Sequence, residues 1–403
     1  MKTKSLNIIL ALALILAGST GYAQTWKQIN ANPPPYDSSY LEYYGSIEMS
    51  ADGRILCTLS VETPPIISTN YGIRWAAPIA DEGSASRNLG GLAVSADGSR
   101  IFVALAGGGI PPEEIYFLHI LTSTNQGTNW QGTGFPILSS PSTNNSIACS
   151  ADGMKVIASL GQSAILYSTN GGANCYTSSV SPANWNSFAC SATGSRMVAA
   201  ADGGSLYFSE DFGANWTPAN LPAQAWTSVC ISPDGKSIGA TSDLHSYISS
   251  DSGVTWLTND FAGLSIACSA DGTVWLITST QVEISTDGGH NWQANLSSGQ
   301  WSGGAISADG NLMAVRNASP WTFGVWVRRL NPSPQLNIQS QDPNIMLSWL
   351  VPSTNFVLQQ TADLSNPTWT PVSSTPTLNI TDLQDQISLP TTGSNTFFRL
   401  IAQ

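Results

Sequence analysis

The sequence predicts an all-β chain: a seven-bladed β-propeller whose N-terminal strand closes the last blade, followed by a small C-terminal β-sandwich-like domain. Three observations predict it. A frame Ser-x-Asp/Asn-x-Gly-x-x-Trp begins at Ser68, Ser123, Ser168, Ser209, Ser249 and Ser285, with Cys175 in the tryptophan slot of the third copy. A second frame, Ser-Ala-Asp-Gly or a close variant, is centred on Asp52, Asp97, Asp152, Thr193, Asp234, Asp271 and Asp309. Successive centres lie 45, 55, 41, 41, 37 and 38 residues apart, the length of a four-stranded blade, and seven centres give seven blades.

The third unit shows how each blade is assembled. Ser146–Cys149 is a short apolar run and Ser150–Gly153 a turn. Strands are then expected over Lys155–Leu160 and Ala164–Tyr167, and a fourth from Ala173 after the second turn. Each run is short and ends in Gly, Asn or Asp, as strands joined by tight hairpins require. One such sheet has two apolar faces, and packing against neighbours on both sides buries them. In the second unit the 55-residue spacing reflects an insertion, Ala106 to Glu114.

The seventh unit supplies three strands (Gly303–Ile306, Leu312–Val315, Trp321–Val327) and no second turn frame. Thr25-Trp26-Lys-Gln-Ile29 resembles the fourth-strand starts Asn215-Trp216 and Asn291-Trp292, so the N-terminal strand is expected to complete this blade and remove its open edge. The propeller is placed at 24–329. Residues 330–335, with Asn331-Pro-Ser-Pro334, read as a linker, and 336–403 as a small β domain with strands at Ile345–Trp349, Phe356–Gln360, Trp369–Val372 and Phe397–Leu400.

Residues 1–23 read as a secretory signal: Lys2 and Lys4, an apolar stretch from Ile8 to Ala17, and Gly21-Tyr22-Ala23 before Gln24. Ser19 stands where a bacterial lipid anchor would need Cys, and no later stretch is long and apolar enough to span a bilayer. The expectation is a secreted or periplasmic monomer without membrane insertion. A net charge of −12, with only 14 Lys and Arg, excludes nucleic acid as a partner. Cys149, Cys190 and Cys268 each precede a turn serine, and equivalent points on different blades are too far apart to bridge, so free thiols are expected.

The first frame, in copies such as STNQGTNW and STDGGHNW, resembles the Asp-box or BNR repeat of sialidases and of non-enzymatic propellers, including those that help to assemble photosynthetic complexes. The resemblance covers nearly all of 50–300 and implies a propeller whose box turns lie away from the central funnel. It implies no activity. A sialidase needs three arginines for the substrate carboxylate, and only Arg87 and Arg316 are expected at the loop face. The tail stretch FVLQQTADLSNPTWTPV with FFRL resembles modules appended to exported proteins of Verrucomicrobia and Planctomycetes.

The loops between second and third strands, and between blades, carry most of the candidate residues. Tyr44, Trp185, Trp226 and Trp301 stand six positions before a turn serine and read either as packing between blades or as a stacking platform around the funnel. The platform, with His245 and Arg316, is taken as the ligand site, for a glycan or a protein segment. Non-catalytic binding is the leading function. The alternative is a glycoside hydrolase using Asp202 and Asp243, which occupy matching loops of adjacent blades. No cofactor is implied, and no histidine or cysteine spacing suggests a metal site.

Overall fold

A computed structural model describes residues 26–29, 46–60, 63–76, 89–107, 117–135, 145–160, 164–181, 183–296, 299–317, 324–329, 336–341, 343–350, 356–379, 384–390 and 396–402. The described chain is all-β. Antiparallel sheets follow one another along the sequence, each built from consecutive hairpins. The third is typical: Asn145–Cys149, Val156–Leu160, Ile165–Ser168 and Tyr176–Thr177, paired in that order from the inside outwards. Its last strand starts three residues later than the sequence suggests, because Ala173 and Asn174 still belong to the turn.

The seventh sheet has strand order Lys27–Ile29, Gly324–Arg329, Leu312–Asn317, Trp301–Ile306. Lys27 lies opposite Val327 and Ile29 opposite Val325. The N-terminal segment therefore supplies the outer strand of the last sheet, which joins the two ends of the ring. The fourth and fifth sheets are also joined, since Met197–Gly204 extends past its own blade to pair at Asp202 with Ala225 of the next.

The inner end of every hairpin carries the Ser-Ala-Asp-Gly turn, and its chemistry is local. Ser50 Oγ donates to Asp52 Oδ1 (2.6 Å) and accepts from the Ile55 N–H (2.9 Å), while Asp52 Oδ1 accepts from the Arg54 N–H (2.9 Å). Thr193 does the same job in the fourth blade through its hydroxyl and Ser195. Between blades the second residue of the turn makes a circuit. Ala51 N–H donates to Ala96 C=O, Ala96 to Ala151, Ala151 to Ala192, Ala192 to Pro233, Ala270 to Ala308, and Ala308 back to Ala51, all at 2.8–2.9 Å. The circuit passes through seven turns and returns to its start. Its single break lies between the fifth and sixth blades, where Pro233 has no N–H to give.

A second circuit runs beside it. The residue five after each turn serine packs on the turn glycine of the next blade: Leu312 on Gly53, Ile55 on Gly98, Arg100 on Gly153, Lys155 on Gly194, Arg196 on Gly235, Ser237 on Gly272 and Val274 on Gly310. A methyl group at Gly98 would lie 2.3 Å from Ile55 Cγ1, and its φ of +70° is one that side chains resist. Glycine is thus required there twice over. Higher up the inner strands, Ser146, Ser187, Ser228 and Ser265 accept at Oγ from the N–H of Phe188, Val229, Ile266 and Gly304 in the following blade (3.0–3.3 Å).

The outer turns carry the first sequence frame. In each copy the Asp or Asn Oδ1 accepts from the backbone N–H four residues on (2.8–2.9 Å), and the serine Oγ accepts from the glycine N–H (2.8–3.0 Å). Where tryptophan is present, its Nε1–H returns to the glycine carbonyl (2.9–3.1 Å). Cys175, in the tryptophan slot, turns instead to Gly134 C=O of the preceding blade (3.0 Å). The glycine is not the only residue in the left-handed region. The position before it is also there, at Tyr71, Gln126, Phe212 and Ser252 (φ 59–64°), with Gly171 and Gly288 in the other two copies.

Beyond the ring, two further sheets hold the C-terminal residues: Asn337–Gln341, Asn344–Leu350, Gln384–Pro390 and Thr377–Asn379 in one, Thr370–Pro371, Phe356–Thr361 and Phe397–Ala402 in the other. Leu347, Trp349 and Ile387 of the first pack with Leu358 of the second. Three of these strands escape sequence reading. Asn337–Gln341, for instance, is exposed throughout and has no apolar face to give it a period. The proposed leader, 1–23, the linker, 330–335, and the insertion beyond Gly107 lie outside the described residues.

The outer turns make a pH test. Asp251, held chiefly by the Thr255 hydroxyl and N–H, and Asp287, held chiefly by the Asn291 N–H and side-chain amide, are both lowered to about 2. A carboxyl depressed in the folded state contributes stability above its ordinary range near 3.8, and that contribution is lost as pH falls towards 2. Asn70, Asn125 and Asn170 fill the same place in three other turns, so Asp287→Asn should keep the neutral-pH melting temperature and soften its acid decline. Asp287→Ala should lower the melting temperature at every pH. Thermal melts from pH 2 to 7 check both, and an Asn variant with an unchanged acid slope would refute the assignment.

Candidate functional site

The two ends of the ring differ chemically. One carries both repeated turns. The other carries the loops between second and third strands and between blades, where the sequence places its candidate residues.

The tryptophans are not a platform. Trp185 and Trp226 are fully buried, Trp301 is 4% exposed, and Tyr44 lies outside the described residues. Each ring meets an aromatic in the third strand of its own blade, edge to face: Trp185 on Tyr207 at 5.4 Å, Trp226 on Tyr247 at 5.2 Å, Trp301 on Trp326 at 5.0 Å. A register shift follows each tryptophan, at Trp185/Ser187, Trp226/Ser228 and Trp301/Gly303. Such a bulge re-aims the side chain that precedes it, here along the sheet face rather than into the funnel. The spacing that singles out these residues is real, but the bulge that turns them inward is invisible to a count of residues.

Arg316 also departs from expectation. It is 4% exposed, and its Nη1 donates to Ser302 Oγ (3.1 Å) beneath the loop end; burial lowers it to about 10. His245 is partly exposed, edge-on to Tyr247 at 6.2 Å, with Nδ1 3.5 Å from Asp260 Oδ1.

Asp202 and Asp243 are both exposed and do come together. They flank one strand: Asp202 is the register partner of Ala225, and the Asp243 N–H donates to Ala225 C=O at 3.3 Å. Asp202 Oδ2 also accepts from Asn184 Nδ2 (3.1 Å). At the same end of the ring Asp260 reaches His245, and the side chains of Leu244 (61%) and Leu264 (44%) are exposed. A general acid in glycoside hydrolysis works from an enclosed, apolar setting, whereas these carboxylates stand in solvent. Among the described residues, no group of three or more His, Cys, Asp or Glu could hold a metal ion.

One residue was missed. Glu48 lies on the innermost strand of the first blade, opposite Cys57, where the other blades have Ala93, Ala148, Ala189, Cys230, Ala267 and Ala305. The residue is half-buried, and the loss of solvent around its carboxyl pushes it up to about 8. Aligning the residues two before each turn serine would have exposed this lone acid among small side chains.

The hairpin sheets and the circuits that join them define a β-propeller. Its overall fold is similar to that of three solved structures. One is YCF48 bound to a D1 peptide (14% identity, TM-score 0.54, 74% of this chain and 99% of that one). Another is YCF48 from Cyanidioschyzon merolae (15%, 0.52, 76% and 98%). The third is Kuenenia stuttgartiensis hydrazine synthase (15%, 0.56, 73% and 98%). No sequence family matches the chain, and no curated protein matches it in sequence. At such identities the likeness is one of fold.

Two outcomes follow from the burial seen here. Trp226→Ala and Trp301→Ala should each cost about 3–5 kcal/mol of folding stability, measured by denaturant titration; a cost near zero would return these rings to the surface. Glu48 is raised above its ordinary value of 4.5, so its folded form prefers the proton and stability should fall as pH rises from about 4.5 to about 8. Glu48→Gln should remove that decline and melt higher than the parent at pH 9. Equal melting curves for the two proteins at pH 9 would show that the carboxyl is solvated.

Proposed function

We propose that this chain is an exported, non-catalytic binding protein: a seven-bladed propeller over 24–329, joined through 330–335 to a C-terminal β domain over 336–403, that receives a polypeptide segment at its loop end. The observation that carries this reading is the loop end of the fourth to sixth blades, where Asp202, Asp243 and Asp260 and the aliphatic Leu244 and Leu264 are all exposed. Carboxylates beside aliphatic side chains suit a basic segment with an aliphatic residue, and a net charge of −12 would speed its approach. The YCF48 of similar fold was solved with a D1 peptide, which is support by analogy of fold alone. Burial of the tryptophans takes away the stacking surface that favoured a glycan.

Fluorescence anisotropy with a labelled Lys/Leu peptide and its Glu/Leu counterpart tests the reading. The basic peptide should bind and the acidic one should not, with affinity falling as salt rises. Asp202→Asn with Asp243→Asn should weaken binding roughly three- to tenfold, since exposed pairs contribute up to about 1 kcal/mol each. Equal binding of the two peptides would overturn it. Release of reducing ends from a polysaccharide panel, lost in the same variant, would establish the hydrolase instead.

A further inference from the structure

The joints between blades share one packing rule, and one joint breaks the pattern. The side chain two residues before a turn serine shares an apolar cluster with the side chain one residue before the turn serine of the next blade: Ala93 with Cys149, Ala148 with Cys190, Ala189 with Ile231, and Ala305 with Met49. At the joint between fifth and sixth blades the pair is Cys230 and Cys268. The two thiols interact directly, and both are free.

This is also the joint that Pro233 deprives of its backbone hydrogen bond. The serine bond just above, from Ile266 N–H to Ser228 Oγ, is the longest of its kind at 3.3 Å. A serine hydroxyl bonded to a neighbouring backbone N–H keeps the two strands close, within reach of the roughly 4.4–6.8 Å that a disulfide spans between Cα atoms. Equivalent positions on different blades are too distant to bridge, but these two are offset by one residue and face each other.

We propose that Cys230 and Cys268 are a disulfide-forming pair that clamps the joint between the fifth and sixth blades. The oxidant is a small-molecule disulfide such as oxidised glutathione. One cysteine attacks it as thiolate and expels a thiol. The second then displaces the other thiol from the mixed disulfide. Two protons and two electrons leave the protein, and the oxidant departs as two thiols. Burial holds the Cys230 thiol in its protonated form, so exchange is slow in the closed ring and proceeds when the joint opens or while the chain folds.

The full chain, refolded in a glutathione redox buffer, alkylated under denaturing conditions and digested with trypsin, gives the answer. Cleavage after Arg196, Lys236 and Arg316 puts Cys230 and Cys268 on separate peptides, each with a single cysteine. The expected result is a cross-link joining 197–236 to 237–316, four alkylated cysteines in place of six, and a melting temperature roughly 5 °C above that of the reduced protein. Cys230→Ala installs the residue that five other blades carry at this position, so it should fold; its melting temperature should not depend on the redox buffer. Six alkylated cysteines, a cross-link elsewhere, or a redox-dependent melt that survives in Cys230→Ala would overturn the proposal.

Discussion

Adjacent inner turns bind one another through the backbone, and the ring exists because that contact repeats until it closes. From Ala51 through Ala308 and back, each N–H that is free of its own hairpin finds a carbonyl on the next blade. A buried backbone donor must be satisfied, so the geometry of one turn dictates the place of its neighbour. Small residues prevail here: Ala51 and Ala308 are buried with Ala96, Ala151 and Ala270 beside them, and Pro233 takes the place in the fifth blade. The glycine that follows lets the next blade lean on it.

The rest of the blade is arranged around this constraint. Residues that maintain the repeat collect at one end, where serine, aspartate and glycine serve turn geometry. Between the blades lie apolar walls of Ile, Val, Ala and Leu from the second strands, broken by the inner tryptophans. The outer turns tie the third strand to the fourth and stiffen the rim. The opposite end is left with loops of unrelated sequence, whose exposed acids and aliphatic side chains differ from blade to blade. Specific recognition is easiest to place where the repeat makes no demand.

Closure by the N-terminal strand has a comparable logic. A sheet of three strands at the end of the chain would leave Gly324–Arg329 as an open edge. Pairing with Lys27–Ile29 satisfies it and ties the first described residues to the last of the ring. Ile29 also reaches the first blade, where its Cδ1 lies against Gly72. The two ends of the ring therefore hold each other through side chains as well as through the ladder.

The sequence by itself determined the repeat, the number of turns, the hydrogen-bonding role of the turn carboxylates and the return of the N-terminal strand. These are local or periodic properties: a Ser-Ala-Asp-Gly turn makes its bonds within six residues, and the spacing of its copies can be counted. Only the tertiary structure decided what the inner residues face. Trp185, Trp226 and Trp301 turn into the walls because a bulge follows each. Arg316 turns under Ser302. Cys230 and Cys268 become partners through a one-residue offset across a joint. Each of these depends on a contact between segments about 40 residues apart or on a break in strand register, and neither leaves a mark in composition or spacing.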